Sequence, residues 1–183
     1  MKRSILTVLA LLLASTSSWG RSIELDMHNK ALGFNYINSD SILIKGMGVE
    51  AGFLMIESAK PLIHLGLSVA GKNLSEQGTF DIALGGRFYN YGESGSSFNA
   101  IALGGKVRFS PMPRVGLSGH LYFAPDITAF GDSNGLTDFM VRADYQVIPQ
   151  AFAYIGHRHI QVKLPGASVN IDNDFHIGFK LLF

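Results

Sequence analysis

The 183-residue sequence contains no cysteine. A disulfide framework and a thiolate metal site are therefore excluded. Charge is scarce as well, because charged residues make up 16% of the chain and the formal net charge is +1, so nothing indicates a nucleic-acid partner. No uninterrupted apolar run of about 18 residues follows residue 20, which argues against a helical membrane protein. Hydrophobic residues nevertheless account for 47% of the chain, and they must be arranged in another way.

The first 20 residues have the layout of a secretory signal peptide. Lys2 and Arg3 precede an apolar run over residues 5–14, and small residues lie at Ser18 and Gly20. That run is about half the ~20 residues that a membrane-spanning helix needs. We therefore predict a cleaved signal peptide at 1–20 and a single domain at 21–183, with a net charge of 13 − 14 = −1 after removal of Lys2 and Arg3.

Most of the remaining chain alternates between apolar and polar residues with period two, which is typical of β-strands with one apolar face. The clearest stretch is 137–147, where Phe139 and Val141 share one face and Arg142 and Asp144 share the other. Similar stretches give about ten strands, or eight if the weaker N-terminal ones are merged. We predict an all-β fold, a closed antiparallel transmembrane up-and-down β-barrel of 8–10 strands, with ten slightly favoured.

The connections between these strands differ in length. Short proline-containing turns at 110–113 and 148–150 contrast with longer polar stretches at 90–97, 125–135 and 163–173. Short periplasmic turns and longer external loops are typical of outer-membrane barrels. We predict that both proline turns lie on the periplasmic side, together with the C-terminus.

The predicted inward faces carry few charges among many small residues, which suits a narrow barrel interior. Positive and negative side chains are nearly balanced there, as expected where an unpaired charge costs several kcal/mol. Glu24, Asp26 and Asp174 also fall on these faces. The predicted lumen charge network consists of Glu50, Asp81, Arg87, Lys106, Arg108, Arg142, Asp144, Arg158, His176 and Lys180.

The last strand is apolar on its outer face and ends in an aromatic residue. This ending resembles the C-terminal strand of bacterial outer-membrane barrels, which the assembly machinery recognises. The predicted assembly signal is Phe175, Ile177, Phe179, Leu181 and Phe183. The expected partners are that machinery, outer-membrane lipids and lipopolysaccharide, and we expect a monomer that binds no nucleic acid.

Three stretches resemble the YfaZ family of small Gram-negative outer-membrane proteins. They are LYFAPD at 121–126, AIALGG at 100–105 and GHRHI at 156–160. The resemblance covers most of the mature chain, including the turn near Pro149 and the terminal Phe183, and it is firmest from Ala100 onward. Family members have tyrosines at the positions of His157 and His159. The resemblance implies an integral outer-membrane barrel and brings no established activity with it.

The sequence offers few candidates for chemistry. His157 and His159 share a strand face, but that face is the lipid side and no third metal ligand accompanies them. Ser118 and His120 share an inward face, although a catalytic triad needs a third group, such as Asp81 or Asp144, within reach of the histidine. The ALGGK stretch at 102–106 lacks the spacing of a phosphate-binding loop. We therefore expect no catalytic, cofactor-binding or metal site.

The predicted number of strands limits the width of the lumen. Eight strands enclose a lumen that side chains just fill, and sixteen or more strands are needed for a wide channel. A general porin is thus disfavoured. We expect an integral outer-membrane protein of a Gram-negative bacterium with a largely filled lumen and a structural or surface-interaction role in the envelope. A narrow porin-like channel for small solutes is the alternative, and a lipid-modifying enzyme resembling the lipid A deacylases is a second alternative.

Overall fold

The structure, a computed structural model, describes residues 20–38, 47–57, 60–75, 78–93 and 96–183, without the side chains of 72–78 and 93–97. The predicted signal peptide, apart from Gly20, lies outside the described residues. Within them, none of the helices has the length and apolar character needed to cross a membrane.

Eleven β-strands make up most of the described chain, as the period-two pattern predicts. A single turn of 3₁₀-helix covers Asp126–Thr128. The strands are β1 (Arg21–His28), β2 (Ala31–Asn38), β3 (Met47–Ile56), β4 (Leu62–Ser75), β5 (Gly78–Glu93), β6 (Ser96–Met112), β7 (Val115–Ala124), β8 (Ala129–Gly131), β9 (Gly135–Ile148), β10 (Ala151–Leu164) and β11 (Ala167–Leu182).

The described strands close into a ten-stranded antiparallel barrel. Each long strand pairs with its neighbours in the chain, and β11 returns to pair with β1, from Ser22 opposite Leu182 to Met27 opposite Ile177. The short β8 lies outside this count, because it pairs only with the stretch of β6 that extends beyond the end of β7. The predicted fold class is confirmed, with ten strands in the barrel.

The two ends of the barrel are named here by their position in the chain. The terminal rim holds the start of β1 at Arg21, the end of β11 at Leu182 and both proline turns, and the far rim lies at the opposite ends of the strands. In the turn that follows Met112, Arg114 has a φ of 73°. The proline turns therefore lie beside the chain ends, on the side that we predicted to be periplasmic.

Two of the predicted long loops are wrong. Residues 90–97 and 163–173 belong mostly to strands, with β10 and β11 joined by Pro165 and Gly166, whose φ of 82° suits glycine. Polar side chains pair across these strands and continue the sheet beyond the apolar surface. The pairs are Asn90–Asn99 at 2.7 Å, His159–Asn173 at 3.0 Å and Gln161–Asn170 at 3.0 Å. Of the three predicted loops, only 125–135 is a longer connection, and it contains the 3₁₀ turn and β8.

The outer face of the barrel is an apolar surface. Leu84, Leu103 and Phe175 are 67%, 66% and 72% exposed, and neighbouring strands present similar side chains. A soluble protein rarely exposes a continuous apolar surface of this extent. This face suits contact with hydrocarbon, whereas the inner face carries the buried polar residues.

Neighbouring strands approach closely where the wall of the barrel has glycine. A Cβ built on Gly104 would lie 2.7 Å from the Cα of Tyr122 on β7, closer than real Cβ contacts come. Gly104 pairs with Gly85 on β5. Glycine at these positions therefore lets the strands approach and curve.

Candidate functional site

The far-rim half of the lumen contains a packed set of apolar side chains. Leu62, Leu136 and Val162 are 1–2% exposed, and Tyr89 is fully inaccessible. We call this packed set the apolar plug. Its buried members are Ala31, Leu54, Leu62, Tyr89, Phe98, Ala100, Ala102, Tyr122, Ala124, Leu136, Ile160 and Val162.

Arg87 is the centre of a polar network directly beside the apolar plug. Its Nε donates to Glu50, and its Nη1 donates to Asp138 Oδ2 at 2.8 Å. Its guanidinium also lies 4.1 Å from the centre of the Tyr122 ring, a cation–π geometry. Lys106 binds the second oxygen of Glu50. This arrangement supplies every charge in the network with an opposite partner.

Asp138 connects this network to the plug. Its Oδ2 accepts a hydrogen bond of 2.5 Å from the Tyr89 hydroxyl, and its Oδ1 lies 3.0 Å from His120 Nε2. A carboxylate buried this deeply is stable only where several donors replace water. We call Glu50, Arg87, Tyr89, Lys106, His120, Tyr122 and Asp138 the central network.

Two bidentate ion pairs lie in the terminal-rim half of the lumen. Arg142 donates to both oxygens of Glu24 at 2.7 and 2.9 Å, and Arg108 donates to both oxygens of Asp144 at 2.6 Å. Planar guanidinium and carboxylate groups match in this geometry. Lys180 lies 3.5 Å from Glu24. These pairs tie β1, β6, β9 and β11 together across the lumen.

A further group of charges lies near the far rim, between β1, β10 and β11. Arg158 donates to Asp26 at 2.9 Å and to Asp172 at 2.6 Å. His28 Nε2 lies 3.1 Å from Asp172 Oδ1. Asp174 and His176 follow on the same face of β11. We call Asp26, His28, Arg158, Asp172, Asp174 and His176 the rim cluster.

A cavity of about 240 Å³ runs along the lumen beside these groups. Side chains in its terminal-rim part are reached by solvent, since those of Lys106, Arg108 and Lys180 are 22–27% exposed. Tyr89 and Tyr122, in the far-rim half, are 0% exposed. Within the described part of the chain, solvent therefore reaches the terminal-rim part of the lumen and does not reach these two rings.

Comparison with known proteins identifies the family. The family described as YfaZ precursor matches residues 1–183, which is the whole chain. The protein belongs to the YfaZ family. It is an integral outer-membrane β-barrel protein, as the resemblance implied, and the apolar outer face is its lipid-facing surface.

Among solved structures, the YfaZ chain is similar to the outer-membrane channel DcaP of Acinetobacter baumannii, with a TM-score of 0.44 and 12% identity. The similar region covers 92% of the YfaZ chain and 55% of DcaP, so the chain spans about half the length of that channel. No curated protein matches the sequence.

The structure places the predicted lumen residues of the YfaZ barrel on its inner wall. Glu50, Arg87, Lys106, Arg108, Arg142, Asp144, Arg158 and Lys180 all form ion pairs there. Asp81 lies opposite Arg108 in the strand register, but it forms no ion pair with a side chain that the structure describes. His176 is 2% exposed, and neither of its ring nitrogens has a hydrogen-bond partner among the described residues.

The predicted network omits four buried carboxylates of the interior, Glu24, Asp26, Asp138 and Asp172, of which Glu24 and Asp26 are predicted to lie on its faces. Asp138 lies on a predicted inward face between Thr137 and Phe139, so the alternation itself indicates that it faces the lumen. The prediction places Asp172 in the loop at 163–173, although the same alternation that places Asp174 inward continues to it. The strand bulge between Ile160 and Gln161 ends that alternation just beyond Asp172.

The candidate catalytic pair of the YfaZ protein points to two different partners. Ser118 Oγ accepts a hydrogen bond of 3.0 Å from Arg142, whereas His120 Nε2 faces Asp138. No hydrogen bond joins Ser118 and His120 among the described contacts. The residue beside the histidine is thus Asp138 rather than the suggested Asp81 or Asp144, and the serine lies outside this pair.

The outer-face histidines and the C-terminal strand lie as the alternation predicts. The ring of His157 packs against that of Phe175 with centroids 4.9 Å apart, and His159 contacts Asn173. The predicted assembly signal lies on the closing strand, where Phe175, Ile177, Phe179 and Leu181 are 53–72% exposed. The backbone N–H of Phe183 donates to the carbonyl of Arg21 at 3.0 Å. Recognition of this strand by the assembly machinery stays a prediction.

Proposed function

We propose that this YfaZ family protein is a non-conducting outer-membrane barrel with a structural or surface-interaction role in the envelope. The observation that supports this most is the complete burial of Tyr89 and Tyr122 at the boundary between the apolar plug and the central network. A solute that crosses the lumen must pass this layer. The barrel therefore separates a terminal-rim vestibule from the far side of the membrane.

The central network makes opening of the lumen costly. Opening a path past Arg87 requires separating its guanidinium from Glu50 and Asp138, and breaking one partner out of a buried ion pair costs about 3–5 kcal/mol. The Tyr89–Asp138 hydrogen bond must be lost as well. Such an opening is too costly to occur frequently at equilibrium, which favours a closed barrel over a narrow channel.

The proposal also holds that the protein is not an enzyme. Ser118, the candidate nucleophile, is bound to Arg142 and has no hydrogen bond to His120. A serine needs a general base within hydrogen-bond reach to be activated. We expect the apolar outer surface to contact outer-membrane lipids and lipopolysaccharide. The far rim is expected to face the outside of the cell, where its polar strand ends and the 125–135 loop can contact partners.

Solute entry into liposomes tests this function. Liposomes that contain the purified mature protein are expected to exclude a small neutral sugar such as arabinose, as protein-free liposomes do. Tyr89→Ala removes a buried ring from the plug and is expected to allow slow swelling. Tyr145→Ala removes an outward ring that is 51% exposed and serves as the matched control, which is expected to stay closed.

Heat-modifiable gel mobility confirms that each variant is folded before the assay. Rapid swelling with the unmodified protein would contradict the closed barrel and support the narrow channel. Equal swelling rates for Tyr89→Ala and Tyr145→Ala would show that the plug does not control access.

The lipid composition of cells that overexpress the protein tests the enzyme alternative. We expect an unchanged lipid A and phospholipid profile. A lipid change that His120→Ala abolishes would contradict the proposal that the protein is not an enzyme.

A further inference from the structure

The rim cluster has more negative charge than its neighbours neutralise. Asp26 and Asp172 supply two buried carboxylates, Asp174 supplies one that is 57% exposed, and Arg158 supplies one guanidinium, so the cluster carries a charge of −2 when its histidines are neutral, of which −1 is buried. The exposed Lys30 and Glu57, joined through their backbones at the same rim, carry opposite charges. Buried charges are normally paired or bound to a cation, and one divalent cation would balance this cluster.

Unpaired polar atoms are concentrated at the same place. Arg158 Nη2 and both ring nitrogens of His176 are buried without a hydrogen-bond partner among the described residues, and His28 Nε2 and Asp172 Oδ1 have only each other, at 3.1 Å. The side chain of His28 is only 8% exposed and that of Asp172 only 2%. Native structures leave few such groups unsatisfied, and a bound ion or water is the usual explanation.

The geometry selects three of these residues as ligands. His28, Asp172 and Asp174 each place one ligand atom within 4.8 Å of the other two. His28 Nε2 and Asp172 Oδ1 are 3.1 Å apart, close to the spacing of two ligands on one ion with bonds of about 2.0–2.2 Å. The side chain of Asp174 is 57% exposed, so it is free to turn towards the ion, and it leaves a path from the far rim.

The surrounding contacts hold two of these ligands in place. Asp172 Oδ2 accepts a hydrogen bond from Arg158 Nε at 2.6 Å, which leaves Oδ1 directed at His28. Hydrogen bonds from residues that do not themselves bind the ion orient metal-binding carboxylates in this way. His28 Nδ1 accepts a hydrogen bond of 3.3 Å from the backbone N–H of Lys30 and lies 3.8 Å from Asp174 Oδ2.

We propose that the rim cluster binds one divalent transition-metal cation of the Zn²⁺ type through a ring nitrogen of His28 and one carboxylate oxygen each of Asp172 and Asp174. Water completes the coordination shell, as it does in sites with three protein ligands. An imidazole nitrogen among two carboxylates favours such an ion over Ca²⁺, which prefers a shell of oxygen atoms. The ion joins β1 to β11, the two strands that close the barrel.

Calorimetric titration of the detergent-purified mature barrel with zinc chloride tests the site. The protein carries an affinity tag without histidine and is first stripped with a chelator. We expect one Zn²⁺ per barrel and much weaker binding of calcium chloride. His28→Gln and Asp174→Asn are each expected to lower the Zn²⁺ affinity by roughly tenfold or more, because each removes a direct ligand.

The chain supplies matched controls for both substitutions. His157→Gln removes a histidine from the outer face, and Asp126→Asn removes an exposed carboxylate from the 3₁₀ turn near the far rim. Both variants are expected to bind Zn²⁺ as the unmodified protein does. Heat-modifiable mobility shows that the four variants are folded, and the exposure of Asp174 makes its substitution mild for the fold.

Two results would overturn the proposal. The first is the absence of saturable Zn²⁺ binding by the unmodified barrel, which would mean that protons or water balance the cluster. The second is binding that His28→Gln and Asp174→Asn leave unchanged, which would place the ion elsewhere. Solute exclusion by the barrel is measured separately, so either result leaves the closed-lumen proposal standing.

Discussion

The hydroxyl of Tyr89 donates a hydrogen bond of 2.5 Å to the carboxylate of Asp138. The two residues are 49 positions apart and lie on β5 and β9, which β6 and β7 separate in the sheet. The bond therefore crosses the lumen rather than following the wall. It joins the apolar plug to the central network, so both parts of the interior depend on Asp138.

Asp138→Ala is expected to be the most destabilising single change in the interior. It leaves Arg87 with one carboxylate partner and removes the acceptor of Tyr89, and loss of one partner from a buried pair costs about 3–5 kcal/mol. The effect is measured by urea unfolding of the barrel in detergent, with the loss of heat-modifiable gel mobility as the readout. Asp126→Ala, at an exposed position, is the control, and an equal effect of the two substitutions would contradict the role of the network.

Arg108 and Asp144 are expected to be energetically coupled. Arg108→Met and Asp144→Leu each leave an ion without its bidentate partner, whereas the double substitution leaves an apolar pair of similar volume. The double variant should recover about 1–3 kcal/mol relative to the sum of the single effects. Denaturant unfolding of all four proteins gives this coupling, and strictly additive effects would show that the pair is not formed.

The alternation alone predicts which charged side chains point into the lumen, but it does not predict which of them form ion pairs with each other. Period two places Arg142 and Lys106 inward whatever the strand order. The partner of Arg142 is Glu24, 118 residues away, and their contact depends on closure of β1 onto β11 and on the strand register. The prediction places Asp172 in a loop because polar residues beyond the apolar surface resemble a loop in sequence, although they pair across strands.

Gly104→Ala is expected to destabilise the barrel by about 1–3 kcal/mol. The added methyl group meets the backbone of β7 at Tyr122, and overpacking at a site that cannot move has costs of this order. Gly71→Ala is the matched control, because nothing lies within 4 Å of the added carbon there. Thermal unfolding of both variants in detergent measures the difference. Equal stabilities would show that β6 and β7 are less closely packed at this point.

Deletion of Phe183 is expected to lower the amount of folded barrel in the outer membrane. It removes the terminal aromatic residue of the predicted assembly signal and the backbone hydrogen bond to Arg21. Phe183→Tyr keeps both features and should assemble normally, which separates the signal from the truncation. Folded protein in outer-membrane fractions is measured by heat-modifiable mobility. Full assembly of the deletion variant would show that Phe183 is dispensable.

Single-molecule conductance in a planar lipid bilayer tests the closed lumen most directly. The purified mature protein is inserted at neutral pH, and insertion is verified with Tyr89→Ala, in which the plug is weakened. For the unmodified barrel the account predicts no steady ionic current, because Tyr89, Tyr122 and Arg87 fill the layer that an ion must cross. A steady open current through the unmodified barrel would contradict it.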